Sequence, residues 1–218
     1  NNKISDFDLV HNLFQKNIYS IEQKLNLTFK EATVIINNFD FSLINFSGYK
    51  KLNGSQLVKE DITYIINLLK SKIIEIEKDK SILHIFNTKS LLDKKEIKNL
   101  PIGLFGNLYS HELSLFLISN NDYKNLKNLI NKCNLKLSKI ISKCFIEGAN
   151  LINKNLNLET FFKIEINESF SQVFFFENSA LKFIQDFNFG TNIIIQDISK
   201  ITGLNKDVII EILQNSNI

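Results

Sequence analysis

Enzymatic chemistry needs nucleophiles, acids, bases or metal ligands at usable spacing, and this sequence supplies few. The two cysteines, Cys133 and Cys144, belong to no Cys-x-x-Cys pair, and His11, His84 and His111 are widely spread. That pattern speaks against a zinc site and fits two reduced thiols buried as small apolar residues. Spacing supports no Ser-His-Asp, Cys-His or paired-carboxylate constellation. One polar run, residues 165–171 (EINESFS), lies between two apolar extended segments. Asn167 and Ser169 are turn formers there and can satisfy backbone hydrogen bonds locally. Lys94, Lys95 and Lys98 belong to a charged run. Pro101, the only proline, opens a loop that continues through Gly103, Leu104, Phe105 and Gly106.

A scaffold must hold these residues. The chain has 218 residues, 44% of them hydrophobic, enough for one large or two small domains with a real core. Its net charge is +3, and its lysines are interleaved with Asp and Glu, which is no nucleic-acid footprint. No run of ~18 apolar residues could span a bilayer, and no basic-then-apolar signal segment opens the chain. The chain lacks Met and starts at Asn1, so it reads as a piece of a longer protein.

Hydrophobic periodicity places the elements. A helix is expected over 6–25, capped by Asp6, with Val10, Leu13, Phe14, Ile18, Ile21 and Leu25 recurring at helical spacing. Residues 31–36 and 40–47 read as a strand pair linked by Asn37, Asn38 and Phe39. An amphipathic helix follows over 58–77. Its polar face mixes Glu and Lys, which suits core packing rather than a membrane surface. Extended segments over 81–91 and 108–118 flank the charged turn or strand tip at 93–98. Asp122 is expected to cap a third helix, followed by a strand over 135–142. A short helix at 145–152 carries Gly148 and Ala149, which permit close packing. Segments 161–166, 172–176 and 181–187 read as an antiparallel meander with Asn178 and Ser179 at its second turn. Phe174, Phe175 and Phe176 must then alternate faces. Two helices, 192–201 and 207–213, close the chain, with Gly203 and Asn205 between them as stop and cap. The fold class is mixed α/β.

Three long stretches carry a resemblance. They are 81–119 (SILHIFNTKSLLDKKEIKNLPIGLFGNLYSHELSLFLIS), the helix and strand at 121–142, and 161–204 (FFKIEINESFSQVFFFENSALKFIQDFNFGTNIIIQDISKITGL). With residues 6–47 in front, the ordered succession resembles the FtsA family of actin-like bacterial cell-division proteins. Leu104 stands where that family's Pro-x-Gly-Met-x-Gly loop has Met. The resemblance implies a partial actin-like, ribonuclease-H-like fold with an inserted 1C (SHS2) subdomain. Residues 1–49 would end domain 1A and 50–143 would form 1C. Residues 144–158 would return to 1A, and 159–218 would open domain 2A. The first phosphate loop would precede Asn1. The adenosine segment, domain 2B and a terminal membrane helix would follow Ile218.

The family's phosphate hairpin, of the type Asp-x-Gly-x-x-Thr, aligns here with Glu165, Ile166, Asn167, Glu168, Ser169, Phe170 and Ser171. Glu165 keeps a carboxylate, but side chains replace the glycines that let N–H groups reach an anion. Glu168 would face triphosphate with like charge, a repulsion of ~1–4 kcal/mol. Downstream, Gly190 survives and Thr191 replaces a second glycine. Glu165, Asn167, Ser169, Ser171 and Gly190 are therefore candidates for a degenerate nucleotide cleft. A plain structural hairpin is the competing reading. No cofactor is expected within these residues, while the resemblance leaves ATP and Mg²⁺ binding open for the complete protein. No catalysis is expected either. The resemblance makes Lys94, Lys95, Lys98, Gly103, Leu104, Phe105 and Gly106 candidates for protein contact. It implies self-association through 1C. In the complete protein it implies binding to FtsZ and other division proteins at the cytoplasmic face of the inner membrane. No nucleic acid and no direct membrane contact are expected of these residues. A pilus-assembly protein of the PilM type and an actin-like ATPase are the alternatives.

Overall fold

The computed structural model of the chain describes residues 6–37, 39–155 and 157–215. Helix α1 (Phe7–Leu25) begins where the Asp6 carboxylate accepts the Leu9 N–H at 2.9 Å, and it ends at Asn26 in the left-handed region. Strands β1 (Glu31–Ile36) and β2 (Phe41–Lys51) follow, then α2 (Lys59–Ile76), β3 (Lys80–Leu92), β4 (Lys95–Glu96) and β5 (Leu108–Ser119). Next come α3 (Asn120–Lys132), β6 (Lys136–Ser142) and α4 (Lys143–Lys154). The meander β7 (Phe161–Ile166), β8 (Ser171–Glu177) and β9 (Ala180–Phe187) precedes α5 (Thr191–Thr202) and α6 (Lys206–Asn215).

Two expectations are corrected. β1 and β2 are not a pair. β1 runs parallel to β6, whereas β2 lies antiparallel to β5 along its whole length, from Phe41 opposite Ile118 to Lys51 opposite Leu108. A parallel pair needs a long crossover, and the whole stretch between β1 and β6 provides one. Of the expected link, Asn38 lies outside the described residues. Nor does Asp122 cap α3. Ser119 does, its hydroxyl accepting the Asn121 N–H at 3.2 Å, while Asp122 sits in the first turn and complements the helix dipole.

A four-stranded sheet of order β2-β5-β3-β4 forms the centre. β5 is an inner strand buried on both faces, which is why it reads as a nearly continuous apolar run. Leu113, Leu115 and Leu117 point into a cluster with Ile62, Ile65, Leu69 and Ile73 of α2. Phe116 points the other way, to Phe86, Phe174, Phe176 and Leu181. Ile118 joins Ile36, Leu126 and Ile140. Each fully buried side chain of this size contributes ~1.5–3 kcal/mol before entropy is counted. The sheet starts at Phe41, so the strand leading into residue 50 is part of it.

The meander forms as read, order β7-β8-β9, with Asn178 and Ser179 both at positive φ in its second turn. Phe174 and Phe176 are buried, while Phe175 is half-buried and sits 4.7 Å from the exposed Phe162 ring. Gly148 of α4 abuts Phe176, where an added Cβ would lie 2.2 Å from the ring. The stripe of α1 is not an inner face: no residue of that helix is buried, and Leu13, Phe14, Ile21 and Leu25 are exposed. Its contacts run to α3, where His11 meets the Lys132 carbonyl at 3.3 Å. Among the described residues no helix is long and apolar enough to cross a membrane.

Candidate functional site

The strand entering the polar turn alternates cleanly. Phe162, Ile164 and Ile166 are exposed, while Phe161, Lys163 and Glu165 turn inward. The Lys163 amine pairs with Glu165 beside it and with Glu147 of α4, and lies 5.1 Å above the Phe174 ring. Burial alone would push the Lys163 amine down, but the two carboxylates override it and hold its pKa above the ordinary lysine value. Burial likewise opposes ionisation of Glu147, yet Lys163 keeps that carboxyl below its ordinary value.

At the turn itself the Asn167 N–H donates to the Phe170 carbonyl at 2.9 Å. The carbonyls of Asn167 and Glu168 accept the N–H groups of Thr191 and Asn192, each at 3.0 Å, and the Ile193 N–H reaches the Gly190 carbonyl at 3.1 Å. These donors are the first turn of α5, the groups a helix N-terminus would offer an anion. Gly190 is the residue that lets turn and helix meet, since a Cβ there would fall 2.3 Å from the Glu168 carbonyl oxygen. Ser171 is buried and donates to the Phe189 carbonyl at 2.6 Å, whereas Ser169 is exposed. The Asn167 amide nitrogen is buried without a partner among the described residues.

The structure thus gathers Glu165, Asn167, Ser171 and Gly190 around one junction, with Ser169 at its outer side. The gathered groups do not fit a nucleotide phosphate. Backbone carbonyls fill the helix terminus, and Glu165 is already neutralised by Lys163. Among the described residues no group of three or more His, Cys, Asp or Glu could hold a metal ion. A cleft of about 250 Å³ opens beside the junction, lined by Asn37, Asp40, Phe41, Cys144, Phe170 and Asp186 among others. Its two carboxylates disfavour an anion. Burial pushes the Cys144 thiol up, with Ser142 only 2.9 Å away, so the sulfur is a poor nucleophile at neutral pH.

The loop at 101–106 is a paired element. The Gly103 N–H donates to the Leu57 carbonyl at 2.9 Å, and the Leu57 N–H donates to the Leu104 carbonyl at the same distance. The Gly106 N–H reaches Ser55, and Phe105 stands opposite Gln56 in a bridge. Gly103 takes φ +90°, which glycine adopts without strain. Leu104 and Phe105 remain 49% and 71% exposed on this clip. Lys94 occupies the two-residue turn between β3 and β4 at φ 68°, and Lys95 begins β4, both exposed. Lys98 is drawn aside to Glu159, 3.4 Å away.

No protein-family model matches the chain. Over 94% of its length it is 25% identical to the cell division protein FtsA of Buchnera aphidicola subsp. Acyrthosiphon pisum, covering 49% of that protein. It is 22% identical over 90% of its length to FtsA of Buchnera aphidicola subsp. Schizaphis graminum, covering 47%. With FtsA of Escherichia coli K12 it shares 19% over 92%, covering 47%. The chain is similar to FtsA throughout. It spans about half the length of these curated relatives. Its fold superposes on a chain of a PilM-PilN type IV pilus biogenesis complex with TM-score 0.56 at 7% identity, over 97% of this chain and 57% of that one. A Bacteroides thetaiotaomicron protein with actin-like ATPase fold superposes at only 0.34. The fold is mixed α/β and is shared with that pilus-complex chain.

Three features of this FtsA-like chain escaped the sequence reading. The Lys163–Glu147 pair joins residues on different elements with no local signature. The filling of the α5 terminus depends on where the β7–β8 turn lands. The clip between 52–57 and 103–107 left one trace, Gly54 and Ser55 pairing with Gly106 as chain-bending signals.

Proposed function

We propose that this chain is part of a cell-division scaffold of the FtsA type, one that assembles with other proteins rather than turning over nucleotide. The observation that carries this reading is the similarity to FtsA along 94% of the chain. The filled terminus of α5 supports the non-enzymatic half of it, because the residues that would meet phosphate already bond one another. In its complete form the protein links the FtsZ ring to the cytoplasmic face of the membrane and recruits further division proteins. Within this chain, the four-stranded sheet of β2, β3, β4 and β5 with α2 packed on it acts as the 1C module through which copies associate. Lys94, Lys95 and the loop from Gly103 to Gly106 are its contact candidates.

The test uses the full-length parent with FtsZ and lipid vesicles. Co-sedimentation of FtsZ with vesicles only when the parent is present is the expected result, together with phosphate release no faster than buffer. Failure to recruit FtsZ would sink the scaffold reading, and steady ATP turnover would sink the non-enzymatic half. The superposition on the PilM-PilN complex favours one rival, a pilus-assembly role. Binding of a PilN-type peptide in place of FtsZ would establish that instead.

A further inference from the structure

The cleft beside the polar turn is walled by aromatic rings. Phe39 and Phe41 come from the corner between β1 and β2, their ring centroids 6.4 Å apart, and Phe116 braces Phe41 from behind at 4.4 Å. Phe170 of the turn and the buried Phe174 of β8 line the same cavity. These rings border a space rather than fill it. The cavity holds about 250 Å³, below the ~300–1,000 Å³ typical of drug-sized ligands, so it suits a small molecule.

Its charge is of one sign. Among the described residues that line it, Asp40 and Asp186 carry the only charged side chains. The Gln172 amide donates to the Asp186 carboxylate at 2.8 Å and holds it in place. Among the described residues neither carboxylate has a lysine within ion-pair reach. Lys163, 5.1 Å above the Phe174 ring, is already paired with Glu147 and Glu165, and Lys143 is paired with Glu147. A bare metal ion lacks its ligand set, because among the described residues no three His, Cys, Asp or Glu side chains converge. Ring faces and carboxylates both attract positive charge, and the rings reward a cation that carries an apolar body.

We infer that this cavity binds a small organic cation, an alkylammonium or alkylguanidinium ion. Its apolar body rests against Phe39, Phe41, Phe170 and Phe174, and its charge faces Asp40 and Asp186. The cavity is built from this chain's own residues, so its occupancy does not depend on what the complete protein assembles with.

Calorimetry and saturation-transfer NMR on the purified chain test it, with choline and ethylguanidinium as probes. The control is the uncharged alcohol in which carbon replaces the choline nitrogen. The expected result is saturable one-to-one binding of at least one cation, about tenfold tighter than that of the neutral alcohol. Asp40→Asn and Asp186→Asn should each weaken it about fivefold, and rising salt should weaken it further. Phe39→Leu, which keeps the bulk and removes the ring, should weaken the cation more than the alcohol. Asp40 and Asp186 are exposed, and an unchanged thermal melt will show that the variants fold. Failure of both cations to bind, equal binding of the neutral alcohol, or binding indifferent to both Asp substitutions would overturn the proposal. So would displacement of the bound cation by Mg²⁺ or ATP at stoichiometric amounts, which would give the cavity to a metal or a nucleotide.

Discussion

His111 shows what burial does to a single side chain. It is 1% exposed on β5, its Nδ1 lies 2.7 Å from the Tyr109 hydroxyl, and that hydroxyl lies 3.3 Å from Ser90. Its Nε2 is buried without a partner among the described residues. Burial pushes its pKa below the ordinary histidine value, and burial does the same to His84. The unfolded chain therefore takes up protons that the native one refuses. Stability from these groups is fully present above the unfolded pKa of about 6.5 and is lost as pH falls towards the depressed folded values. Urea unfolding should show a free energy that declines below pH ~6.5, by at most ~1.4 kcal/mol per pH unit for each histidine. His111→Gln should flatten that slope. An equally steep slope in the variant would exclude His111 as its source.

At the scale of elements, the junction between the β7–β8 turn and α5 replaces an anion with the protein's own carbonyls. Two peptide oxygens meet two N–H groups at 3.0 Å, and the missing Cβ of Gly190 makes the approach feasible. Gly190→Ala should force the turn away from the helix and cost about 1–3 kcal/mol, a strain typical of inserting a methyl group into a packed contact. A thermal melt several degrees lower is expected. An unchanged melt would mean that turn and helix are not held together in solution. Lys163 braces the same strand from behind by joining β7 to α4 through Glu147. Two elements distant in sequence are thereby fixed around the turn.

At the scale of the molecule, β5 is the common wall of three apolar clusters. Its odd and even positions face different partners, so the α2 side and the meander side share one strand. Phe116 is the link to the meander, its ring 4.4 Å from Phe41 and 5.8 Å from His84. Phe116→Ala should cost about 3–5 kcal/mol, as large-to-small core changes do. Because one strand serves both sides, circular dichroism and Phe/Tyr fluorescence should report one coincident transition in the wild-type chain. Two separate transitions there would show that the sheets fold independently.

The order and type of the elements were legible because periodicity is a local property. The meander over 161–187, the Asn178–Ser179 turn and the Gly203 stop all follow from neighbouring residues. The run of carboxylates, amide and hydroxyls from Glu165 to Ser171 was visible too. Pairing was not legible. Residues 31–36 and 40–47 look like a hairpin locally, yet parallel pairing of β1 with β6 and the apolar faces of β5 draw them into different sheets. Nor could the apolar spacing of α1 tell whether its stripe would be covered. The partner of Glu165, the filling of the α5 terminus and the clip beneath Phe105 each depend on residues brought together from distant parts of the chain. Sequence spacing constrains such contacts only within about one helical turn or one hairpin.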